Sequence, residues 1–276
     1  MFNIKDMLKV LLVSKNRLLF SLVILSLLAI LTFHNQLLAL TSFLLIVFSA
    51  LILEFVLERF SKLNTFNYRG AITSSLIIFL LADPTAKIYQ ILIAIFAAVL
   101  LSIAIQSNNR PIFNKAASGL LVASFFGLPI TWWGFIPGFI SSLVIIILVS
   151  FMNLSIRRQL RIITPFLAVT MLFSFLSSFD IFTTVIQFLI GGFWFFTLVI
   201  LPEENTAGHY TKTKIAYGIL VALLAFLIPR IGFTTDPLLT SLLVANLVIW
   251  YLEKQKFSLR FPALKFLKNK SRLKLN

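Results

Sequence analysis

Long apolar runs, interrupted by short stretches rich in Lys, Arg, Gly, Pro or Asp, set the pattern of this chain. Runs such as Ile88 to Ile105 and Ile215 to Ile228 leave no polar face for water, so they predict membrane spans and not amphipathic surface helices. Ten spans follow: Leu18–Phe33, Leu37–Leu57, Gly70–Ala82, Ile88–Ile105, Ser118–Thr131, Phe135–Met152, Ile163–Ser177, Ile181–Leu201, Ile215–Ile228 and Leu238–Tyr251. The predicted class is an all-α polytopic membrane protein of about ten transmembrane helices. Residues 1–17 form a basic cytoplasmic arm, 18–134 a first five-helix repeat, 135–252 a second, and 253–276 a polybasic cytoplasmic tail.

Composition narrows the class. The 276 residues are 59% hydrophobic and 12% charged, with a mean hydropathy of +1.01; a soluble domain carries about 25% charged residues. That excludes a globular cytosolic enzyme and a disordered chain. There is no Cys, which excludes a disulfide-stapled domain and an Fe–S cluster held by this chain's own thiolates.

The net charge of +15 would suggest nucleic acid in a soluble protein, but its placement argues otherwise. With the N-terminus in the cytoplasm, 22 of the 24 Lys and Arg residues fall on that side, leaving Lys87 and Arg230 outside. This split gives an even span count with both termini cytoplasmic, in the cell membrane. The basic arm (Lys5, Lys9, Lys15, Arg17) lacks a small-x-small cleavage site after its apolar stretch, so the first span is read as retained. Trp132-Trp133 falls on an outer connection, where indoles suit the headgroup level. The tail, with Phe257, Phe261 and Phe266 among its basic residues, points to anionic lipid, a plain solvated tail being the other reading.

Shifted against itself by roughly 120 residues, the chain aligns Ser118–Ser124 (SGLLVAS) with Thr240–Asn246 (TSLLVAN). Gly70 with its apolar run and Ala82-Asp-Pro-Thr-Ala86 falls near Gly191, its run and Leu201-Pro-Glu-Glu-Asn-Thr-Ala207. Five spans per half is odd, so the repeats have inverted topology. Two matched elements, Gly70–Ala82 and Gly191–Leu201, are short against the roughly 20 residues that cross a bilayer. Short, Gly/Pro-bounded elements in matching places point to a central site, the other reading being tilted helices with nothing bound. Asp83-Pro84 and Asp236-Pro237 each have the chemistry that opens a helix, and Asn114 aligns with Asp236. Such N-termini, aimed inward from opposite sides, would face an anion or polar ring; capping alone is the plainer role. The candidate site is Asp83, Pro84, Thr85, Asn114, Gly191, Gly192 and Asp236.

Other chemistries fall away. His34 and His209 lie on opposite sides, so no bis-His haem or His-rich metal site forms within the membrane. Glu54, inside the second span, is a functional candidate by position, whereas Glu58 has Arg59 and Lys62 beside it. Asp180 sits in a short outer turn and reads as a cap. Gly134-x-x-x-Gly138 includes Pro137 and is weak evidence for helix pairing.

Arg110-Pro-Ile-Phe-Asn-Lys-Ala-Ala-Ser-Gly-Leu-Leu resembles the N-x-F-N-P-A-A-x-G stretch of the NqrB/RnfD family, membrane subunits of Na⁺-translocating NADH:quinone oxidoreductases and Rnf electron-transport complexes. Gly191-Gly-Phe-Trp-Phe-Phe-Thr-Leu-Val-Ile-Leu-Pro and Lys212-Thr-Lys-Ile-Ala-Tyr-Gly218 are similar to a second family pattern, and Asn246 matches a further position. The resemblance covers about Gly70 to Glu253. It implies two inverted five-helix repeats, related in architecture to urea and ammonium channels, in a redox-driven Na⁺ or H⁺ pump that relays electrons through flavins. It also implies partner redox subunits in the membrane and cytoplasm. The family's S-G-A-T flavin attachment segment has no counterpart here, since Thr131-Trp-Trp-Gly134 runs straight into Phe135. Leu201-Pro202 stands for the family's T-D-P, and Lys115 for its Pro. A flavin (FMN or riboflavin) would therefore be non-covalent, near the short helices.

Two functions remain in contention. One is a compact electron-transfer and ion-translocating subunit with non-covalent flavin. The other is a channel or carrier for a small solute or ion on the same fold, without redox chemistry.

Overall fold

The computed structural model describes residues 14–60, 68–107, 110–135, 156–178, 191–203, 206–208 and 210–272. Nine α-helices lie among the described residues: α1 (Ser14–Thr32), α2 (Gln36–Phe60), α3 (Tyr68–Leu81), α4 (Ile88–Ala104), α5 (Lys115–Phe125), α6 (Ile156–Ser178), α7 (Gly191–Phe195), α8 (Thr211–Leu227) and α9 (Pro237–Arg272). A π-helical turn, Phe196–Ile200, extends α7, and a 3-10 turn, Ile228–Ile231, extends α8. The two-residue strands β1 (Gln106–Ser107) and β2 (Arg110–Pro111) pair between α4 and α5. Most of the sixth predicted span, the first half of the eighth, Asp180, His209, Pro137 and Gly138 lie outside the described residues.

The all-α class is as predicted, and three helical stretches, Gln36–Leu57, Gln159–Ser177 and Thr211–Ile231, are long and apolar enough to cross a membrane. Their outer faces are apolar: Leu37, Ile52, Phe55, Leu172 and Leu227 are all exposed. Contiguous apolar surface of this kind is rare on a protein that meets only water.

The helix ends follow local chemistry. Asn35 opens α2 by accepting the Leu38 amide at 3.1 Å. Gly127, at φ +82°, closes α5 in a Schellman arrangement: the Leu128 amide donates to Ala123 and the Gly127 amide to Ser124, both at 3.0 Å. That glycine stops α5 at Phe125, after 11 residues, short of the Thr131 expected from hydropathy. α3 is 14 residues long and buried almost continuously from Ser74 to Leu81.

Helix α3 packs on α1 and α2, α4 on α2 and α5, α6 on α8, α8 on α9, and α5 on α9. The closest approaches occur at glycines. A Cβ on Gly119 of α5 would stand 2.3 Å from the Ala94 carbonyl oxygen of α4, and one on Gly218 of α8 would stand 2.3 Å from that of Ile162 in α6. The end of α3 is the best satisfied terminus. Leu80 oxygen accepts the Gly134 amide, Leu81 oxygen accepts the amides of Thr131 and Trp132, and Asp83 donates its amide to Pro129. Unpaired helix-end carbonyls are costly when buried, and the loop 129–134 removes that cost.

Candidate functional site

The structure divides the seven candidate residues between the two ends of α5, a separation of roughly 16 Å at 1.5 Å per residue. At one end lies the loop 129–134. Asp236 caps α9, its Oδ1 accepting the Leu239 amide at 2.9 Å, and its Oδ2 accepts the Trp132 indole N–H at 2.7 Å. A Cβ on Gly192 would touch the same Trp132 side chain at 3.4 Å. Trp132 thus covers Gly192 and ties it to Asp236. Its backbone lies in the left-handed region at φ +53°, which non-glycine residues adopt uncommonly. Trp133 also turns inward, its indole N–H donating to the Phe79 carbonyl at 2.6 Å. Neither indole is the headgroup anchor expected from the sequence, because Asp236 at the start of α9 accepts from Trp132 and the Phe79 carbonyl of α3 accepts from Trp133.

Asp83 does not open a helix. Its Oδ1 accepts the Thr85 amide at 2.8 Å and the Thr85 hydroxyl at 2.6 Å, closing a local turn over Pro84. Helix α4 starts later, at Ile88, where the Lys87 amide donates to Gln90 Oε1 at 3.0 Å. The Pro84 carbonyl accepts the Ser42 hydroxyl at 3.1 Å. Thr85 is exposed, and Gly191 is buried at the start of α7.

At the other end, Asn114 caps α5 as predicted, accepting the Ala117 amide on Oδ1 at 2.9 Å. Its Nδ2 donates to Glu203 Oε2 at 2.7 Å, and the Thr206 hydroxyl donates to the same oxygen at 3.3 Å. Next to this cap, Lys115 forms an ion pair with Glu54 of α2, both side chains nearly enclosed at 13% and 7% exposure. Two positions that carried the family resemblance meet between α8 and α9: the buried Tyr217 hydroxyl donates to Asn246 Oδ1 at 2.6 Å.

Glu203 was not singled out by sequence reasoning, and Trp132 was read as a headgroup-level indole and not as part of the site. Glu203 lies in the connection after the π-helical turn, and burial raises its carboxyl from 4.5 to about 7, against the lowering effect of the Thr206 and Asn114 hydrogen bonds. Between those two values the folded chain holds a proton that an unfolded chain has released. Stability from this group is therefore complete below pH 4.5 and falls away as pH rises to about 7. Glu203→Gln is expected to be more stable than wild type by roughly 2–3 kcal/mol at about pH 8 and equal to it near about pH 4, read from thermal unfolding in detergent.

A cavity of about 450 Å³, open on one side, lies between α6, α8 and the start of α9. Phe173, Phe226 and Phe193 line it, with Arg230 and Ser177 at its edge. Phe173 and Phe226 stack at 4.4 Å, and the Arg230 guanidinium lies 3.3 Å from the Phe226 ring centroid. Arg230 donates to the Phe226 carbonyl at 2.6 Å and to the Ser177 hydroxyl at 3.1 Å, so two of its five N–H groups are engaged there.

The residues expected to hold a flavin do not fit one. Asp83 Oδ1, the Asn114 amide group and both Asp236 oxygens are engaged within the fold, and Trp132 covers Gly192. The adjoining cavity falls within the usual size of a ligand pocket, about 300–1,000 Å³, and its walls are mostly apolar. Among the described residues no cluster of three or more His, Asp or Glu is placed to hold a metal ion. Compared with protein-family models the chain matches no family, and compared with curated proteins it matches no sequence.

Proposed function

We propose that this chain is an integral membrane subunit of a redox-driven, ion-translocating electron-transport assembly of the NqrB/RnfD type, in the cell membrane with both termini cytoplasmic. Ten helices in two inverted five-helix repeats form it, and it works with further membrane and cytoplasmic redox subunits. The aromatic cavity between α6, α8 and the start of α9 carries this reading. Phe173, Phe193 and Phe226 give the cavity an aromatic, apolar lining, and Arg230 places a cation beside it. A flavin held there without a covalent bond would supply one- and two-electron transfer. Arg230 would bind the oxygens of such a ring and favour added negative charge. The polybasic tail adds attraction to anionic lipid.

The second reading is a channel or carrier for a small solute or ion. One observation favours it: Glu203 is a largely packed carboxylate held by Asn114 and Thr206, apart from any ring-binding wall.

A visible spectrum separates the two. Protein purified from riboflavin-supplied cells is expected to show flavin absorption that denaturation releases from the chain. Ala225→Phe, which fills the cavity from α8, is expected to lower occupancy by about tenfold, the equivalent of about 1.4 kcal/mol. Folded protein with no flavin overturns the redox reading and leaves the channel or carrier, which solute flux into vesicles then measures.

A further inference from the structure

Two side-chain hydrogen bonds join α8 to α9. The buried Tyr217 hydroxyl donates to Asn246 Oδ1 at 2.6 Å, and the Thr213 hydroxyl donates to Glu253 Oε1 at 2.7 Å. Between these bonds, α9 carries two donors of its own. Asn246 is 1% exposed, yet its Nδ2 has no hydrogen-bond partner among the described residues. Trp250 Nε1, one turn further along, is enclosed and equally unpartnered. Positions 246, 250 and 253 recur at helical spacing, so the two donors share the face of α9 that bonds to α8.

Buried polar groups without partners are rare in native folds and call for an explanation. One orphan donor is an isolated cost; two on adjacent turns of one face make a pair. Side chains four residues apart on a helix start only about 5–6 Å apart at Cβ. A single oxygen atom between their ends therefore lies within hydrogen-bond reach of both.

We propose that Asn246 and Trp250 form a binding site for one neutral oxygen acceptor, an internal water molecule that links the two side chains between the Tyr217–Asn246 and Thr213–Glu253 bonds. The donor set selects the occupant. An amide N–H and an indole N–H offer nothing to a metal cation, since Asn246 Oδ1 already accepts from Tyr217. An anion is opposed by the Glu253 carboxylate on the same face. Lys254 lies 5.0 Å from the Trp250 ring centroid but is exposed, where solvent screens its charge. Water accepts from both donors and also donates, and the flanking Tyr217 and Glu253 carry acceptor oxygens. About three hydrogen bonds are usual for a buried water. This inference depends on neither flavin nor ion passage, so the visible spectrum that tests the proposed function leaves it untouched.

The test is nuclear magnetic resonance of the full chain in phosphatidylcholine nanodiscs, with isotope-labelled tryptophan in a deuterated background. Trp250→Phe identifies the Trp250 indole signal by its loss; exclusion of the other indoles identifies it independently. In wild type, the Trp250 indole proton is expected to show a cross-peak to the water line whose rotating-frame sign is that of dipolar contact and not of chemical exchange. Asn246→Leu is expected to weaken that cross-peak at least about fivefold, through loss of one of the two hydrogen bonds that hold the water. Replacing chloride by gluconate in the buffer is expected to leave the Trp250 signal where it is. A wild-type indole with no dipolar cross-peak to water, a cross-peak at full strength in Asn246→Leu, or a Trp250 signal that shifts on removal of chloride overturns the proposal.

Discussion

Lys115→Met, with Glu54 left in place, is expected to destabilise the fold by about 3–5 kcal/mol, the usual cost of breaking a buried ion pair by removing one partner. Only 13% of the Lys115 side chain and 7% of that of Glu54 remain exposed, so water does little to solvate a lone carboxylate there. The double variant Lys115→Met with Glu54→Leu is expected to recover to within about 1 kcal/mol of wild type, because well-packed apolar groups often replace a buried pair without loss. Unfolding of detergent-solubilised protein by dodecyl sulfate measures both. Equal stability of the single and double variants would mean that the pair is screened. A lysine at the first position of a helix opposes the helix dipole; the Glu54 carboxylate offsets that term at the start of α5.

Much of this arrangement was legible in the sequence because it is local. Apolar runs placed the helices, and cap chemistry placed Asn114 and Asp236 at the starts of α5 and α9, where their oxygens accept the Ala117 and Leu239 amides. Asp83 misled for a local reason too. Asp-Pro-Thr suits a side-chain-closed turn as well as a helix start, and the pairing of Lys87 with Gln90, three residues later, decided where α4 begins.

The partners across the fold were not legible. Asn114 and Glu203 are separated by 89 positions, and Trp132 and Asp236 by 104; no periodicity connects residues at such distances. Glu203 looks like an ordinary loop carboxylate until packing removes its water, and only that burial raises its pKa. The Tyr217–Asn246 bond lies between these cases. Both positions stood out through resemblance, but their contact depends on how α8 meets α9.

Gly119→Ala and Gly218→Ala are each expected to cost at least about 3 kcal/mol, at or beyond the usual range for overpacking. The added methyl groups would stand 2.3 Å from the carbonyl oxygens of Ala94 and Ile162. Those atoms belong to helix backbones, so relief requires moving a whole helix and not one flexible side-chain end. Close helix approach over small residues is the principal means of packing where lipid surrounds the bundle, because burial there gains little from excluding water. Gly192→Ala provides the contrast: its methyl would meet the Trp132 side chain at 3.4 Å, an ordinary contact, and is expected to cost less than about 1 kcal/mol. A second comparison separates backbone from side-chain crowding. The Gly119 methyl would also stand 2.6 Å from Ala98 Cβ, so Ala98→Gly in the Gly119→Ala background removes that clash alone. Because the contact with the Ala94 oxygen is shorter and remains, dodecyl sulfate unfolding is expected to show little recovery. Full recovery would locate the constraint at Ala98 and leave the α4–α5 backbone distance free to relax.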